Sequence, residues 1–186
     1  MSVILLGGSP SSHSSSSRLL QHIGDKLAVQ GWRTTRLEVR ELPGAALLGM
    51  DANDPELARA LALVASADAL VVATPIYKAA YTGMLKLFLD LLPQDGLRGK
   101  AVLPLATGGS QSHMLALDYA LRPVLASMAA RTILSSIYAT SDQVAWDSEH
   151  GMRLAPAIAE RVAQGVAQLS AELQVRSQFV SAAAAA

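Results

Sequence analysis

A short, fully apolar run near the start of the chain ends in two glycines and leads into a serine-rich loop. Val3 to Leu6 is continuously apolar, which is typical of a strand buried on both faces of a sheet. Seven serines lie between Ser9 and Ser17, and the apolar spacing of a helix begins at Leu19. Backbone amides at a helix N-terminus attract anions, and serine hydroxyls add further donors. The pattern therefore predicts a phosphate site at the first strand-to-helix turn; a flexible serine linker is the alternative.

The alternation of apolar strand and amphipathic helix continues along the chain. Asp54 and Pro55 form a clear helix start, because aspartate caps a helix and proline suits its first position. Five strand–helix repeats predict an α/β fold with a doubly wound, five-stranded parallel sheet covered on both faces. Strands are expected at 3–6, 33–39, 69–73, 100–106 and 133–137, a loop at 41–53, and helices at 19–27, 54–64, 84–92, 113–128 and 155–173.

Composition limits the classes of protein to which the chain can belong. Its 186 residues suit one domain, expected over 1–175, with an alanine-rich tail at 176–186. Fifteen basic residues balance 15 acidic ones, so no nucleic-acid partner is expected. The absence of cysteine rules out thiolate nucleophiles and disulfides and permits a cytoplasmic location. Neither a membrane span, a signal peptide nor a metal site is expected from the sequence.

Three predicted strand ends carry loops of unusual composition, at 9–17, 74–82 and 107–112. Ligands of doubly wound sheets bind beyond the carboxyl ends of the strands, and the strand order 2-1-3-4-5 would place these loops side by side. The fingerprint G-x-G-x-x-G does not follow the first strand, and neither G-x-x-x-x-G-K-[ST] nor G-x-S-x-G occurs. The class of ligand that remains for this edge of the sheet is a mononucleotide with a flat ring. FMN fits, with its phosphate at the serine loop and its ring against the other two loops.

Three segments carry a family resemblance. They are Gly8-Ser9-Pro10 with the serines that follow, residues 73–83 (Ala-Thr-Pro-Ile-Tyr-Lys-Ala-Ala-Tyr-Thr-Gly) and residues 103–109 (Leu-Pro-Leu-Ala-Thr-Gly-Gly). Together they resemble the NAD(P)H-dependent FMN reductases, and more closely the reductase component of two-component alkanesulfonate or methanesulfonate monooxygenase systems. The resemblance implies a flavodoxin-like fold and an NAD(P)H:FMN oxidoreductase that uses FMN with NADH or NADPH. It also implies a dimer or tetramer that supplies reduced FMN to a partner monooxygenase.

The resemblance also implies which residues bind the cofactor. The FMN phosphate would lie at Ser9, Ser15, Ser16 and Ser17, the ribityl chain and ring at Pro75, Ile76, Tyr77 and Lys78, and the pyrimidine edge at Thr107, Gly108, Gly109 and Ser110. Relatives often carry an arginine in the first loop, whereas positions 11–17 hold none. Positive charge would have to come from the helix end, His13 or Arg18, so moderate flavin affinity is expected.

The segment around Tyr119 carries a separate expectation. In the sulfonate-linked reductases, a tyrosine in a matching Asp-Tyr-Ala-Leu segment lies on a π-bulge at the tetramer interface. Tyr119 matches that tyrosine, so the resemblance implies the same place here. The alternative is an ordinary packing helix that is kinked by Pro123.

The expected chemistry requires no catalytic acid or base from the protein. Hydride transfer takes place between two cofactors, and the protein supplies orientation and electrostatics. Two alternative functions stay open: an enzyme that keeps its FMN and reduces quinones, azo compounds or metal oxyanions, and a non-enzymatic flavodoxin-like electron carrier. The sequence also leaves open the choice between NADH and NADPH.

Overall fold

The computed structural model describes residues 1–147 and 151–184. Its strands are β1 (Ser2–Gly7), β2 (Arg33–Glu38), β3 (Ala69–Pro75), β4 (Ala101–Gly108), β5 (Thr132–Ile133), β6 (Ile137–Thr140), β7 (Val144–Asp147) and β8 (Gly151–Leu154). Its α-helices are α1 (Ser15–Val29), α2 (Gly44–Leu48), α3 (Pro55–Ser66), α4 (Gly83–Asp90), α5 (Arg122–Ser127) and α6 (Pro156–Ala184). A π-helix spans Leu117–Leu121, and 3₁₀ turns lie at Val39–Glu41, Gln111–His113 and Ser141–Gln143.

The main sheet is parallel and has the order β2-β1-β3-β4-β5, with β6 also paired to β4. This is the predicted flavodoxin-like order, and it brings the carboxyl ends of β1, β3 and β4 together. The sheet therefore gathers the three loops that the sequence analysis singled out.

Alternate residues of the central strands pack into two separate apolar layers, because side chains of a strand point to opposite faces. On one face Val3, Leu5 and Val71 meet α1 and α6; on the other, Ile4 and Leu6 meet α3, α4 and the helical segment 117–127. Both faces are thus covered, which explains why the strands are continuously apolar. Among the described residues, no helix is long and apolar enough to cross a membrane.

Side-chain caps fix where the helices begin. The predicted start of α3 is confirmed: the Asp54 carboxylate accepts from the amides of Glu56 and Leu57 at 2.9 and 3.0 Å. Ser14 caps α1 by accepting from the Ser17 amide at 3.1 Å. Each cap satisfies amides that have no partner within the helix.

The last parallel strand differs from the prediction, because most of the predicted range 133–137 falls on an interruption between β5 and β6. Val102 pairs with Ile133, but Leu105 pairs with Ile137, so the outer strand carries one extra residue. Pro104 lies opposite this interruption and has no amide hydrogen to offer the ladder. The outer strand therefore bulges where its neighbour cannot donate.

Four further segments differ from the expected elements. The 41–53 loop contains α2, and the single helix expected at 113–128 consists of a 3₁₀ turn, the π-helix and α5. The hairpin of β7 and β8 was not predicted, because it is short and half exposed. α6 extends to Ala184, beyond the expected helix end at residue 173.

Candidate functional site

A cleft of about 380 Å³ lies at the carboxyl edge of the sheet, where the three loops meet. Its size is within the range of small-molecule sites. Among residues 1–147 and 151–184, no lysine or arginine lines it, and the titratable residues of its wall are Tyr77 and His13. The lining residues are Ser11, His13, Ser14, Ser15, Pro75, Ile76, Tyr77, Thr107, Gly108, Gly109 and Ser141.

The first wall of the cleft is the N-terminus of α1. The backbone amides of Ser15 and Ser16 have no acceptor among the described residues, whereas the Ser17 amide is satisfied by the Ser14 hydroxyl. Two unpartnered amides at the positive end of a 15-residue helix suit a phosphate group. This wall therefore fits the phosphate of FMN.

The inner serines of this loop hold its shape instead of lining the cleft. Ser9 is 1% exposed, and its hydroxyl donates to the Ser11 carbonyl at 3.1 Å. The Ser17 hydroxyl donates to the same carbonyl at 3.1 Å. Ser16 is fully buried, and its hydroxyl lies 3.1 Å from that of Ser14. These hydroxyls replace the hydrogen bonds that the irregular backbone of the loop lacks.

Thr82 joins the first loop to the second. Its hydroxyl donates to the Gly8 carbonyl at 2.6 Å and accepts from the Leu85 amide at 3.2 Å, while its amide donates to the Thr74 hydroxyl at 3.1 Å. Gly8 approaches α4 so closely that a Cβ atom would lie 2.7 Å from the Leu85 Cβ. Glycine is therefore required here for close packing.

The second wall is a tight turn from Tyr77 to Ala80. Its ends exchange backbone hydrogen bonds at 2.9 and 3.1 Å, and Lys78 and Ala79 have positive φ angles of 50° and 65°. Two successive left-handed residues define a type I′ turn, which usually contains glycine or asparagine. Strain of this kind is held in place by surrounding contacts and clusters at functional sites.

Tyr119 supplies one of these contacts. Its hydroxyl donates to the Ala79 carbonyl at 2.7 Å from the middle of the π-helix. The expected π-helical conformation at Tyr119 is thus confirmed. The side chain remains 57% exposed, and Tyr77, Met114 and Leu115 are exposed as well.

The third wall is the turn that follows β4. Buried Tyr138 donates from its hydroxyl to the Ser110 carbonyl at 2.6 Å, and the Ser141 hydroxyl donates to the Gly108 carbonyl at 3.3 Å. A Cβ atom on Gly108 would lie 2.3 Å from the Tyr138 hydroxyl. Burial raises the pKa of Tyr138, against the opposing effect of its bond to Ser110, so the phenol stays a neutral donor.

A buried carboxylate supports the first loop from behind. Glu38 is 3% exposed, accepts from Arg36 and Arg40, and would collide with a Cβ atom on Gly7. Arg40 also donates to the Ser9 carbonyl at 3.5 Å. Arg40 therefore lies under the loop, but its charge is compensated by Glu38 and by Glu41 at 3.0 Å.

The structure brings most of the predicted cofactor residues together. The cleft is lined by Ser15, Pro75, Ile76, Tyr77, Thr107, Gly108 and Gly109. The other predicted residues lie next to it: Ser9, Ser16 and Ser17 are buried in the loop, Lys78 is exposed at the turn, and Ser110 meets Tyr138 through its backbone. Arg18 lies outside the cleft, whereas His13 lines it.

Three lining residues were not predicted: Ser11, Ser14 and Ser141. Ser14 could have been identified from its place as the last residue before α1, since serine is a preferred N-cap. Ser141 directly follows β6, which ends at Thr140. It was missed because the last strand was predicted to end at residue 137.

The chain is similar to known proteins over most of its length. The family model described as NADPH-dependent FMN reductase matches residues 1–145. The chain is 44% identical over 163 residues to an FMN reductase (NADPH) of Pseudomonas putida, covering 87% of this chain and 83% of that protein. It is 34% identical over 180 residues to the NADH-dependent FMN reductase SfnF of Pseudomonas putida, covering 93% of each. The solved apo form of the NADH:FMN oxidoreductase EmoB has a TM-score of 0.83 and 38% identity, covering 93% of this chain and 89% of that one.

Proposed function

The chain belongs to the family of NADPH-dependent FMN reductases, and we propose that it releases the reduced FMN it forms to a separate monooxygenase. Its activity is NAD(P)H-dependent FMN reduction, and its cofactors are FMN and NAD(P)H. When bound, FMN supplies a ring that accepts a hydride from the nicotinamide.

The residues of the cleft would bind and orient this cofactor. The amides of Ser15 and Ser16 and the hydroxyl of Ser11 would hold the phosphate, and the 75–77 and 107–109 segments would hold the ring. Backbone amides of the 107–109 turn are suited to stabilise the negative charge that develops on a reduced flavin. No side chain of the cleft is assigned a proton transfer.

Release of flavin is supported chiefly by the electrostatics of the cleft. Among the residues that the structure describes, no lysine or arginine lines it, and the guanidinium of Arg40, under the first loop, is already paired with Glu38. A phosphate held by neutral donors lacks the stronger, charge-assisted hydrogen bonds. The affinity for FMN should therefore be moderate, as a reductase that gives its flavin away requires.

Flavin retention tests this proposal directly. Protein loaded with FMN should lose most of it on gel filtration, and NAD(P)H oxidation should then saturate with added FMN. A protein that stays yellow and needs no added FMN would instead support the quinone, azo or metal-oxyanion reductase.

The partner that we propose is a sulfonate monooxygenase, on the basis of the three sequence segments described above. The reductase, NADPH, FMN and a sulfonate monooxygenase should together release sulfite from methanesulfonate or a longer alkanesulfonate. Omitting the reductase should abolish sulfite release. If reduced FMN from the reductase supports no sulfonate cleavage, the partner is wrong even though the reductase activity stands. Such a system would work in the cytoplasm, where NAD(P)H is available.

We also propose that the exposed face around Tyr119 joins copies of the chain into a dimer or tetramer. Tyr77, in the second wall, and Met114, Leu115 and Tyr119, in the segment that Tyr119 joins to that wall, expose large apolar side chains. Exposed apolar side chains are typical of interaction sites when they form a contiguous patch. Sedimentation of the chain and of Leu115→Glu should show a smaller assembly for the variant; an unchanged assembly would rule out this face.

A further inference from the structure

A second cavity of about 640 Å³ lies beside the flavin cleft and is larger than it. It lies between the surface of α1 and the hairpin of β7 and β8, and the cofactor assignment above does not use it. His13 lines both cavities, and Ser12 and Ser17 of the first loop also reach the second one. The two spaces therefore meet at the loop that would hold the FMN phosphate.

An aromatic ring and a guanidinium stand together on the wall of this cavity. The Arg18 Cζ lies 4.9 Å from the centre of the Trp146 ring, and the Trp146 side chain is 54% exposed. A guanidinium stacked on a ring keeps its N–H donors in its own plane, where they can bind a phosphate. The open surface of the indole can stack on a purine.

Arg18 is the charge in this cavity that is available for a ligand. Among the described residues no carboxylate pairs with it, whereas Arg36 is bound to Glu38. Gln21 links the rest of the wall: its amide accepts from Arg36 at 2.8 Å and donates to Asp25 at 2.7 Å. In the described part of the wall, Arg18 is thus an arginine without a carboxylate partner, beside Arg36, which already has one.

We propose that this cavity binds the adenosine phosphate part of a dinucleotide whose other half occupies the flavin cleft. Adenine would stack on Trp146, and a phosphate would bind Arg18 at the point where the cavities meet. Two substrates carry this group: NAD(P)H, and FAD, whose AMP half begins at the flavin phosphate. The inference rests on the proposed function only in placing the flavin phosphate at the first loop.

Binding of 5′-AMP to flavin-free protein tests the site without any turnover. Trp32→Phe leaves Trp146 as the only tryptophan, and its fluorescence should be quenched by AMP. Trp146→Phe should lose this response, because Trp32 lies elsewhere, with its Nε1 bound to the Ser170 hydroxyl at 2.9 Å. Arg18→Met should weaken AMP binding about ten-fold, whereas Lys26→Met, an exposed charge on the same helix, should not change it.

Steady-state kinetics then identify the substrate. If the site serves FAD, Arg18→Met raises the KM for FAD and leaves that for FMN unchanged. If it serves the pyridine nucleotide, the same variant raises the KM for NADPH or NADH with FMN as the flavin. Failure of AMP to bind, or unchanged KM values for all of these substrates, would overturn the inference. The proposed release of FMN is judged separately, by flavin retention.

Discussion

At the scale of single residues, Tyr138 and Gly108 are closely packed at the third wall of the cleft. The phenol hydroxyl supports the Ser110 carbonyl and occupies the space that a side chain at Gly108 would need. Gly108→Ala should therefore displace the turn and raise the KM for FMN at least about ten-fold, since a misplaced binding group is costly.

Removing the Tyr138 hydroxyl should relieve that obstruction. Without it the nearest ring atom to the new Cβ lies 3.2 Å away, which a small shift can accommodate. Tyr138→Phe alone should raise the KM for FMN roughly five-fold, because one hydrogen bond is lost. The KM of the double variant for FMN should be closer to that of Tyr138→Phe than to that of Gly108→Ala. If the effects of the two single variants on KM are instead additive, the hydroxyl is not the obstruction.

His22 on α1 gives the molecule a pH dependence of stability. Burial, and then the nearby Lys26, lower the pKa of His22 in the folded protein against the opposing effect of Asp25. The unfolded chain therefore binds this proton first as the pH falls through about 6.5. The free energy of unfolding should decrease in that window, until the lower pKa of the folded state is reached.

Denaturant unfolding between about pH 7 and pH 5 measures this effect. His22→Gln should lose less stability over the window than the parent protein. An equal slope for His22→Gln and the parent protein would contradict the assignment.

At the scale of elements, the divided outer strand depends on Arg122. Its guanidinium donates to the carbonyls of Ile133 and Leu134 at 3.2 and 2.9 Å, where the ladder is interrupted opposite Pro104. Arg122→Met should lower the free energy of unfolding by about 2 kcal/mol, because two carbonyls lose charged donors. Arg131→Met, at an exposed arginine, is the matched control, and it should change the free energy of unfolding by no more than about 0.5 kcal/mol. Equal losses of stability in the two variants would contradict this role of Arg122.

Sequence reasoning could predict that an outer strand exists near residue 133, but neither its interruption nor its continuation to Thr140. Pro104 signals a missing donor, yet it does not reveal that the neighbouring strand carries one extra residue. The interruption depends on the long-range pairing with β4 and on Arg122, which lies on α5. By contrast, Asp54 and Pro55 fix a helix start through local hydrogen bonds alone, so that start was predictable.

The π-helix positions the second wall of the cleft through Tyr119. Tyr119→Phe would remove the donor to the Ala79 carbonyl in a turn that holds two strained residues. We expect the KM for FMN to rise a few-fold, with a smaller change in kcat, since one hydrogen bond contributes about 1 kcal/mol. Titration of the variant with FMN should show a few-fold loss of affinity. An unaltered affinity would show that the turn holds its shape without the Tyr119 hydroxyl.

At the scale of the whole molecule, the sheet order explains why the sequence could indicate where the cleft lies. Parallel strands in the order 2-1-3-4-5 bring three distant loops to one edge, and the composition of these loops, together with the absence of other nucleotide-binding motifs, predicted a mononucleotide site there. Which serine faces the cleft could not be predicted, because it depends on hydroxyl bonds within the loop, such as those of Ser9 and Ser17. The cavity beside Trp146 could not be predicted either, because one of its walls is the hairpin of β7 and β8, which was not expected from the sequence.

The proposed function requires that the cleft handles FMN as a substrate. The most direct test is NADPH oxidation by flavin-stripped protein, followed by the nicotinamide absorbance with and without added FMN. We expect no oxidation without FMN and saturable oxidation with it, with the flavin recovered in the small-molecule fraction of a gel-filtration column. Oxidation that proceeds without added FMN, by a protein that keeps its flavin on the column, would contradict the account.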